Sequence, residues 1–404
     1  MLAIRFHYRP VRYLLTRAVA RRRPSIAWSP LGCIVGEEVE PPALPGPEWV
    51  RVETSLSGVC GTDISMVQAH ESFTLEPFGA YPFTFGHENI GCVAEVGPAA
   101  GDWSVGERVV VNPMMACAQR GLHPPCPACA RGEYGLCRRT MEGAPGPGPA
   151  IGFSPGVGGG WSRSFVAHAS QLHRLDELTD EEGVLTDPFA SALRPVLLHP
   201  PRPDDVVLVI GSGTIGALTV WALRRTGWTG PVAVVARYPF QRTLAERAGA
   251  APILAGREEA YAWAASLPDS HSFRPTLAPR FVEGGPSLVF DTIGSERSLG
   301  DALALTREGG RIVLVGSAAR LRADWTRIWY RQLTLSGVYV YGLVPFEGTP
   351  TDIYPAALAL MRRRGLAELA MITHTFPLRD FKRGLAAAVD KSVHRSIKVA
   401  FRPE

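Results

Sequence analysis

Cys60, in the stretch Gly58-Val59-Cys60-Gly61-Thr62-Asp63, and the later triplet Gly86-His87-Glu88 offer a thiolate, an imidazole and a carboxylate. Zinc accepts all three ligand types. A purely structural zinc is normally closed by four Cys or His, so a mixed set with a carboxylate points to a metal that takes part in chemistry. Small neighbours at Gly58, Gly61, Gly86 and Gly91 let backbone and substrate come close to such an ion. Taken singly, Cys60 reads as a small buried hydrophobe and His87 as a core histidine. The pair in its flanking context carries the metal reading. A second cluster has a different character. Cys126-Pro127-Ala128-Cys129 is a tight turn that places two thiolates on one metal, and Cys137 follows after Gly132 and Gly135 allow the chain to fold back. The fourth ligand is Cys117 or His123. A four-thiolate set is the usual closed site and Gly121 permits the loop, which favours Cys117. A closed site leaves no position for substrate, so its expected role is to hold a lobe together.

A third constellation suits a dinucleotide. Asp205-Val206-Val207-Leu208-Val209-Ile210 is an apolar run of the kind found in a buried parallel strand. Gly211-Ser212-Gly213-Thr214-Ile215-Gly216 follows directly, then a helix-like run from Ala217 to Arg225. Strand, G-x-G-x-x-G and helix form the fingerprint that seats a pyrophosphate on a helix N-terminus. The next apolar run, Pro231 to Val235, ends at Ala236-Arg237. An acidic residue at this point would hold the ribose 2′-hydroxyl of NAD; a guanidinium without that carboxylate suits a 2′-phosphate, which predicts NADP over NAD.

Further strands positioning this half are expected at Ser287 to Asp291, ending at Thr292-Ile293-Gly294, and at Arg311 to Val315, ending at Gly316, with a helix from Glu296 to Arg307 between them. The alternation predicts a doubly wound parallel sheet. Ile293 and Gly316 join the candidate cofactor residues. Residues 264–286, rich in Pro, Ser and Gly, read as a surface excursion, and residues 67–85 as a loop over the substrate cleft. Phe73, Phe78, Tyr81, Phe83 and Phe85 are candidates to narrow the pocket or to fill core.

A chain of 404 residues with 46% apolar composition is expected to hold two domains. Its net charge of +4 gives no argument for nucleic acid or an anionic membrane. The first 36 residues carry seven Arg and no Asp or Glu, but Met1 to Phe6 reads as a strand and Arg21 to Pro24 as a surface turn, not as a targeting segment. Without a long apolar run, a cytoplasmic protein is expected. Seven cysteines, four of them between positions 117 and 137, indicate metal ligation in a reducing compartment. Cys33 and Cys92 read as inert.

Together these motifs resemble the zinc-dependent medium-chain dehydrogenase/reductase family, especially its polyol and threonine dehydrogenase-like members. The likeness also includes Val105-Gly-Glu-Arg-Val-Val, Gly159-Gly-Trp-Ser-Arg-Ser-Phe, Thr186-Asp-Pro-Phe-Ala and Gly309-Gly-Arg-Ile-Val-Leu-Val-Gly. It implies a GroES-like, mostly β catalytic domain over 1–190 and 341–404, with a metal lobe at 113–140, interrupted by a Rossmann domain over 191–340. Cys60 and His87 would be zinc ligands. Glu88 would ligate the ion or stand off it, and Asp187 would be a third ligand or the anchor of zinc-bound water. Thr62 would relay the alcohol proton. Ser65 stands where many members carry the histidine that ends this relay. Arg395 would contact the cofactor phosphate. The implied protein is a homodimer or homotetramer, paired through Rossmann edge strands such as Gly337 to Tyr341, that moves a hydride between a small-molecule alcohol and NADP with two zinc ions per chain. Its rivals are a zinc-free quinone or enoyl reductase on the same fold, and a catalytically silent binding or assembly protein.

Overall fold

The structure, a computed structural model, describes residues 1–363 and 365–404. Two units emerge: Met1–Asp187 with Tyr341–Leu343 and Tyr354–Glu404, and Pro188–Val340 with Val344–Ile353. The division differs from the expected one in two respects. It falls at Asp187, within the helix Thr186–Leu198, and the short segment Val344–Ile353 goes with the second unit and not with the C-terminal return.

The first unit is built on a seven-stranded sheet. Its path runs Ile372–Pro377, Lys398–Arg402, Trp49–Gly58, Asn89–Val96, Arg108–Val111 and Leu172–Arg174, and Ser164–His168 also pairs with Trp49–Gly58. The ten-residue strand Trp49–Gly58 is the spine, antiparallel to Asn89–Val96, Ser164–His168 and Lys398–Arg402. One core packs Trp49, Val52, Val93, Val109 and Phe165. A three-stranded sheet, Ile34–Glu38, Leu2–Phe6 and Phe83–Thr84, closes a second core of Phe6, Phe83, Phe85, Trp161 and Phe401. Trp161 is fully buried, lies 4.9 Å from the Phe401 ring and 5.0 Å from Phe85, and donates from Nε1 to Gly58 O at 3.2 Å. Gly86 sits at φ 98, and a Cβ there would meet Trp161 at 2.6 Å. This close approach, at a positive φ, requires glycine at position 86.

Several segments differ from their sequence reading. Residues 67–85 are not a plain loop: a 3-10 turn spans Phe73–Phe78, and Phe83–Thr84 pairs with the first strand. Phe83 and Phe85 are buried in the core, while Phe73 and Phe78 are exposed. The Arg-rich N-terminus places a helix, Pro10–Val19, between the expected strand and turn. Pro10 in its first turn is a start signal, but the helix lacks a capping side chain and an acidic first turn. The cysteine lobe closes beyond residue 140, at the bridge between Met114 and Ala150. Arg120, 1% exposed, ties it inside by donating to Met115 O at 2.9 Å, Glu142 O at 2.6 Å and Gly146 O at 2.9 Å.

The second unit holds a six-stranded sheet in the order Ile253–Leu254, Val232–Val235, Val207–Ile210, Leu288–Asp291, Arg311–Leu314 and Thr334–Gly337. Every pairing is parallel. The order reverses at Val207–Ile210, the strand that feeds the glycine turn. The excursion at 264–286 contains an antiparallel hairpin, His271–Phe273 with Phe281–Glu283. The sheet ends on Thr334–Gly337, so the expected edge strand lies earlier than Gly337 to Tyr341. Among the described residues no helix is long and apolar enough to cross a membrane.

His173, on the strand Leu172–Arg174, stacks on Tyr354 at 5.6 Å. Burial, aided by Arg362, pushes its pKa from 6.5 to about 4. The unfolded chain therefore binds the extra proton between those values, and stability is lost as pH falls from about 6.5 toward 4. Replacing His173 with Phe removes that component. The drop in stability between pH 7 and pH 5, measured by urea unfolding, is expected to shrink by roughly 2 kcal/mol in the variant; an unchanged drop refutes the assignment.

Candidate active site and metal centres

Cys60 ends the turn after strand Trp49–Gly58 and opens the helix Gly61–Val67. Asp63, fully buried, accepts from the Cys60 backbone N–H at 2.8 Å, which caps this helix. Its other oxygen lies 3.3 Å from His87 Nδ1. One carboxylate thus caps the loop carrying Cys60 and lies within ion-pair distance of the His87 ring. Asn89 holds the strand end beyond them: it accepts from Ser57 Oγ at 2.7 Å and donates to Gly86 O at 2.9 Å. Donor atoms of Cys60, His87 and Glu88 come within 4.8 Å of one another. His87 and Glu88 are buried at 5% and 1% exposure.

The charges of this cluster explain its chemistry. Burial lowers the pKa of His87, but Asp63 and Cys60 outweigh burial and raise it well above 6.5. An imidazole that binds a proton so tightly faces a field that favours any cation. Burial raises the pKa of Glu88, with Asp187 adding to the rise while Lys398 and His87 oppose it. Thiolate, imidazole and carboxylate in this field fit a thiophilic divalent metal. Thr62 Oγ1, two residues after Cys60, is buried with no hydrogen-bond partner. Ser65, three positions further along the helix, interacts with Glu71, whose carboxyl is pushed up chiefly by burial.

Asp187 is not among the three clustered donors, although its charge is felt at Glu88. Its Oδ1 accepts from Tyr354 OH at 2.6 Å and Tyr341 OH at 3.1 Å. Two phenols hold this carboxylate, which is 4% exposed, to one side of the Cys60–His87–Glu88 group.

In the lobe, Cys117, Cys126, Cys129 and Cys137 bring their sulfurs within 4.8 Å of one another, and His123 is outside this group. Cys117 Sγ and Cys137 Sγ are 3.7 Å apart, and the Cys126 N–H points at Cys117 Sγ at 3.3 Å. Burial works against the Cys126 thiolate, but N–H groups of Arg138 and Cys129 outweigh it and bring the pKa to about 6. Burial and the neighbouring sulfurs push Cys129 upward. Four crowded sulfurs cannot all be thiolates unaided; a tetrahedral cation resolves the conflict, and the set fits a closed zinc site.

The glycine turn of the second unit divides its work. Gly211 has φ 101, and a Cβ on Gly216 would lie 2.0 Å from Gly211 O, so helix Thr214–Arg225 packs directly on its strand. A Cβ on Gly213 would meet nothing within 4 Å, which leaves open space over a helix start formed by Thr214 and Ile215. That opening fits a pyrophosphate. Asp291, fully buried, accepts from the N–H groups of Ile293 at 3.0 Å and Gly294 at 3.1 Å. Ile293 is 51% exposed, and Gly316 packs under it where a Cβ would clash at 2.3 Å. Ala236 is buried at the end of strand Val232–Val235, and exposed Arg237 lies 5.3 Å from the Tyr238 ring centroid. Arg242 joins them, donating to Ala236 O at 3.3 Å and Arg237 O at 3.4 Å. Arg395 is exposed at φ 53, ending the short helix Lys391–His394 of the first unit.

Sequence reasoning missed Asp63, Asp291, Arg242, Tyr341, Tyr354 and Lys398. Asp63 had a readable signal, an acidic residue at the third position of a helix start. Asp291 had another, a carboxylate ending an otherwise apolar strand. The two tyrosines and Lys398 meet their partners over separations of 154, 167 and about 310 residues, and no local pattern marks them.

A GroES-like β unit with a mixed-ligand metal cluster and a four-cysteine lobe, joined in one chain to a parallel dinucleotide-binding sheet, defines a zinc-type alcohol dehydrogenase architecture. Comparison with known proteins agrees. Residues 46–177 match the alcohol dehydrogenase GroES-like domain and residues 214–363 match the zinc-binding dehydrogenase domain, together well over half the chain. The chain is 26% identical over 351 residues to L-threonine 3-dehydrogenase of Xanthomonas axonopodis pv. citri, covering 86% of this chain and 91% of that one. It is 26% identical over 346 residues to L-idonate 5-dehydrogenase of Vitis vinifera, covering 84% of each. The crystal structure of 2R,3R-butanediol dehydrogenase from Bacillus subtilis superposes with a TM-score of 0.73 at 25% identity, covering 100% of both chains. The chain belongs to the zinc-dependent medium-chain alcohol dehydrogenase family. It is an NAD(P)-dependent oxidoreductase acting on the CH–OH group of a small-molecule alcohol.

Asp63 is the orienting partner of His87. Exchange of Asp63 for Asn is expected to weaken metal retention at the Cys60–His87 cluster about 10- to 100-fold, measured by competition with a chelator while the four-cysteine site stays loaded. Unchanged retention rules out this role.

Proposed function

We propose that this enzyme interconverts a polar secondary alcohol, a polyol or an amino alcohol, and its ketone, with NADP as hydride partner and one zinc in each donor cluster. One observation carries the reading: donor atoms of Cys60, His87 and Glu88 converge within 4.8 Å, and Thr62, two residues after Cys60, has a buried hydroxyl without a partner. Cys60 and His87 hold the active-site ion, with Glu88 in reach of it. A zinc there supplies Lewis-acid polarisation of the substrate oxygen. Thr62 accepts the substrate's hydroxyl proton during oxidation and returns it during reduction. Ser65 and Glu71 carry that proton onward, in the place of a histidine. Asp63 keeps the His87 ring from turning. Asp187, held by its two tyrosines, acts as an anchor for water or a substrate polar group and not as a direct ligand. Glu88 and Asp187 make the site anionic, which favours hydroxyl- or amino-bearing substrates; the names of the relatives, for threonine, idonate and butanediol, agree with this class.

The cofactor reading rests on the basic corner at Arg237 and Arg242, where no acidic residue stands at the strand end. Both guanidiniums suit a 2′-phosphate. The glycine turn, Thr214 and Ile215 receive the pyrophosphate, and Ile293 and Gly316 line the turn beside it.

The deciding experiment combines metal analysis with a panel of polyols, amino alcohols and ketones followed by nicotinamide absorbance. Two zinc per chain are expected in the wild type. Cys60→Ala and His87→Ala are expected to keep NADPH binding and to lose turnover to below about 1%; retention of more than a few per cent sinks the metal mechanism. For the cofactor, Arg237→Ala is expected to raise KM for NADP about 10- to 100-fold, the worth of charge-assisted hydrogen bonds, with little change for NAD. Faster wild-type turnover with NAD than with NADP would overturn this assignment.

A further inference from the structure

The four-cysteine lobe is tied to a segment that also reaches the carboxylate beside the Cys60–His87–Glu88 group. Gly132 and Gly135 lie between Cys129 and Cys137, and Tyr341–Leu343, part of the same unit, runs along them. The Leu343 N–H donates to Gly132 O at 2.8 Å, and the Gly135 N–H donates to Tyr341 O at 3.0 Å. Gly132 is buried at φ 77, and a Cβ there would lie 2.4 Å from Leu343 Cδ1, so this close approach requires glycine. Tyr341 is thus held by its backbone on the lobe. Its side chain is held elsewhere: the OH donates to Asp187 Oδ1 at 3.1 Å, where Tyr354 OH also donates at 2.6 Å. Tyr341 and Asp187 are each 4% exposed, and the charge of Asp187 is felt at Glu88. A path of covalent and hydrogen bonds therefore runs from Cys129 through Gly132, Leu343 and Tyr341 to Asp187. Few apolar side chains pack inside the lobe, so its shape depends on its four sulfurs. Loosening them loosens the loop on which Tyr341 rests.

We propose that Tyr341 is a positioning residue that transmits the closed state of the four-cysteine lobe to Asp187, so that filling of the lobe sets the preference of the active site for polar over apolar alcohols. A buried carboxylate is placed by the hydroxyls that donate to it, because charge-assisted hydrogen bonds are short and directional. Tyr341 acts through Asp187 and does not touch substrate. This rests on the readings above of a zinc-filled lobe and of Asp187 as the anchor of a substrate polar group.

The test uses the full-length enzyme, two alcohols of one carbon skeleton (glycerol and propan-2-ol), and hydrogen exchange of the backbone N–H groups at 341–343. Gly132→Ala, which keeps all four sulfurs, and Cys129→Ser, which opens the metal site, are each expected to speed that exchange about tenfold or more. Tyr341→Phe and both lobe variants are each expected to raise the ratio of KM for glycerol to KM for propan-2-ol about tenfold, with a much smaller change in kcat. Tenfold is the lower end for a hydrogen bond to a charged group, since Tyr354 still holds Asp187. For an alcohol that is not turned over, its competitive inhibition constant replaces KM. The double variant Tyr341→Phe/Gly132→Ala is expected to match Tyr341→Phe, because both changes break one path. Unchanged exchange at 341–343 in the lobe variants overturns the proposal. So does additivity in the double variant, or a wild-type ratio in Tyr341→Phe while Asp187→Asn moves it. If one lobe variant does not fold, the other decides together with Tyr341→Phe. A ratio that Asp187→Asn also leaves unmoved is a different failure: it removes the reading of Asp187 as the anchor, and this proposal with it.

Discussion

Everything at the reactive end of this protein depends on packing opposite charges into a volume that water does not reach. Asp63, His87, Glu88 and Lys398 are all nearly or fully buried. Breaking one partner out of such a pair leaves an uncompensated buried charge, which typically costs about 3–5 kcal/mol. Their order is therefore strict: Asp63 faces His87, and Lys398 faces Glu88. Cys60 is bound into the same arrangement through its backbone N–H on Asp63. The result is a set of metal donors whose orientation is imposed by neighbours and not chosen by the ion.

Backbone geometry makes that packing possible. Three strand ends converge on the cluster, and the residues beside it are small. Gly58 leaves space for the Glu88–Lys398 pair, Gly86 turns the chain against Trp161, and Trp161 closes the underside by donating to Gly58 O. The indole supplies apolar bulk and one hydrogen bond at a single position. The four-cysteine lobe follows a different logic. Four sulfurs and a buried guanidinium organise a loop too poor in apolar residues to fold on packing alone.

In the cofactor half the same division appears between open and filled space. Gly216 is needed because helix and strand touch, whereas Gly213 faces open space. Asp291 sets the neighbouring turn by accepting two backbone N–H groups, so Ile293 projects outward from a fixed base. The corner at Arg237 and Arg242 gathers positive charge at the strand end where a ribose-binding carboxylate would repel a phosphate.

Much of this was legible locally. The cysteine turn, the glycine turn and the buried parallel strands depend on neighbours only a few residues away, so spacing and periodicity report them directly. The clustering of Cys60 with His87 was legible because a thiol and an imidazole in glycine-rich settings have few other uses. The N-terminal helix was not, since its start carries no capping signal. Phe83 and Phe85 were ambiguous because an aromatic side chain suits a pocket wall and a core equally well. The sequence by itself thus determined the donor types, the dinucleotide turn and the alternation of strand and helix. Only the tertiary structure decided that Asp187 turns to Tyr341 and Tyr354, that Cys117 and not His123 joins the other sulfurs, and that Glu88 meets a lysine from the last strand. Those outcomes are contests among several capable partners distant in sequence, and the winner is set by which strand register and which buried charge balance bring two groups together.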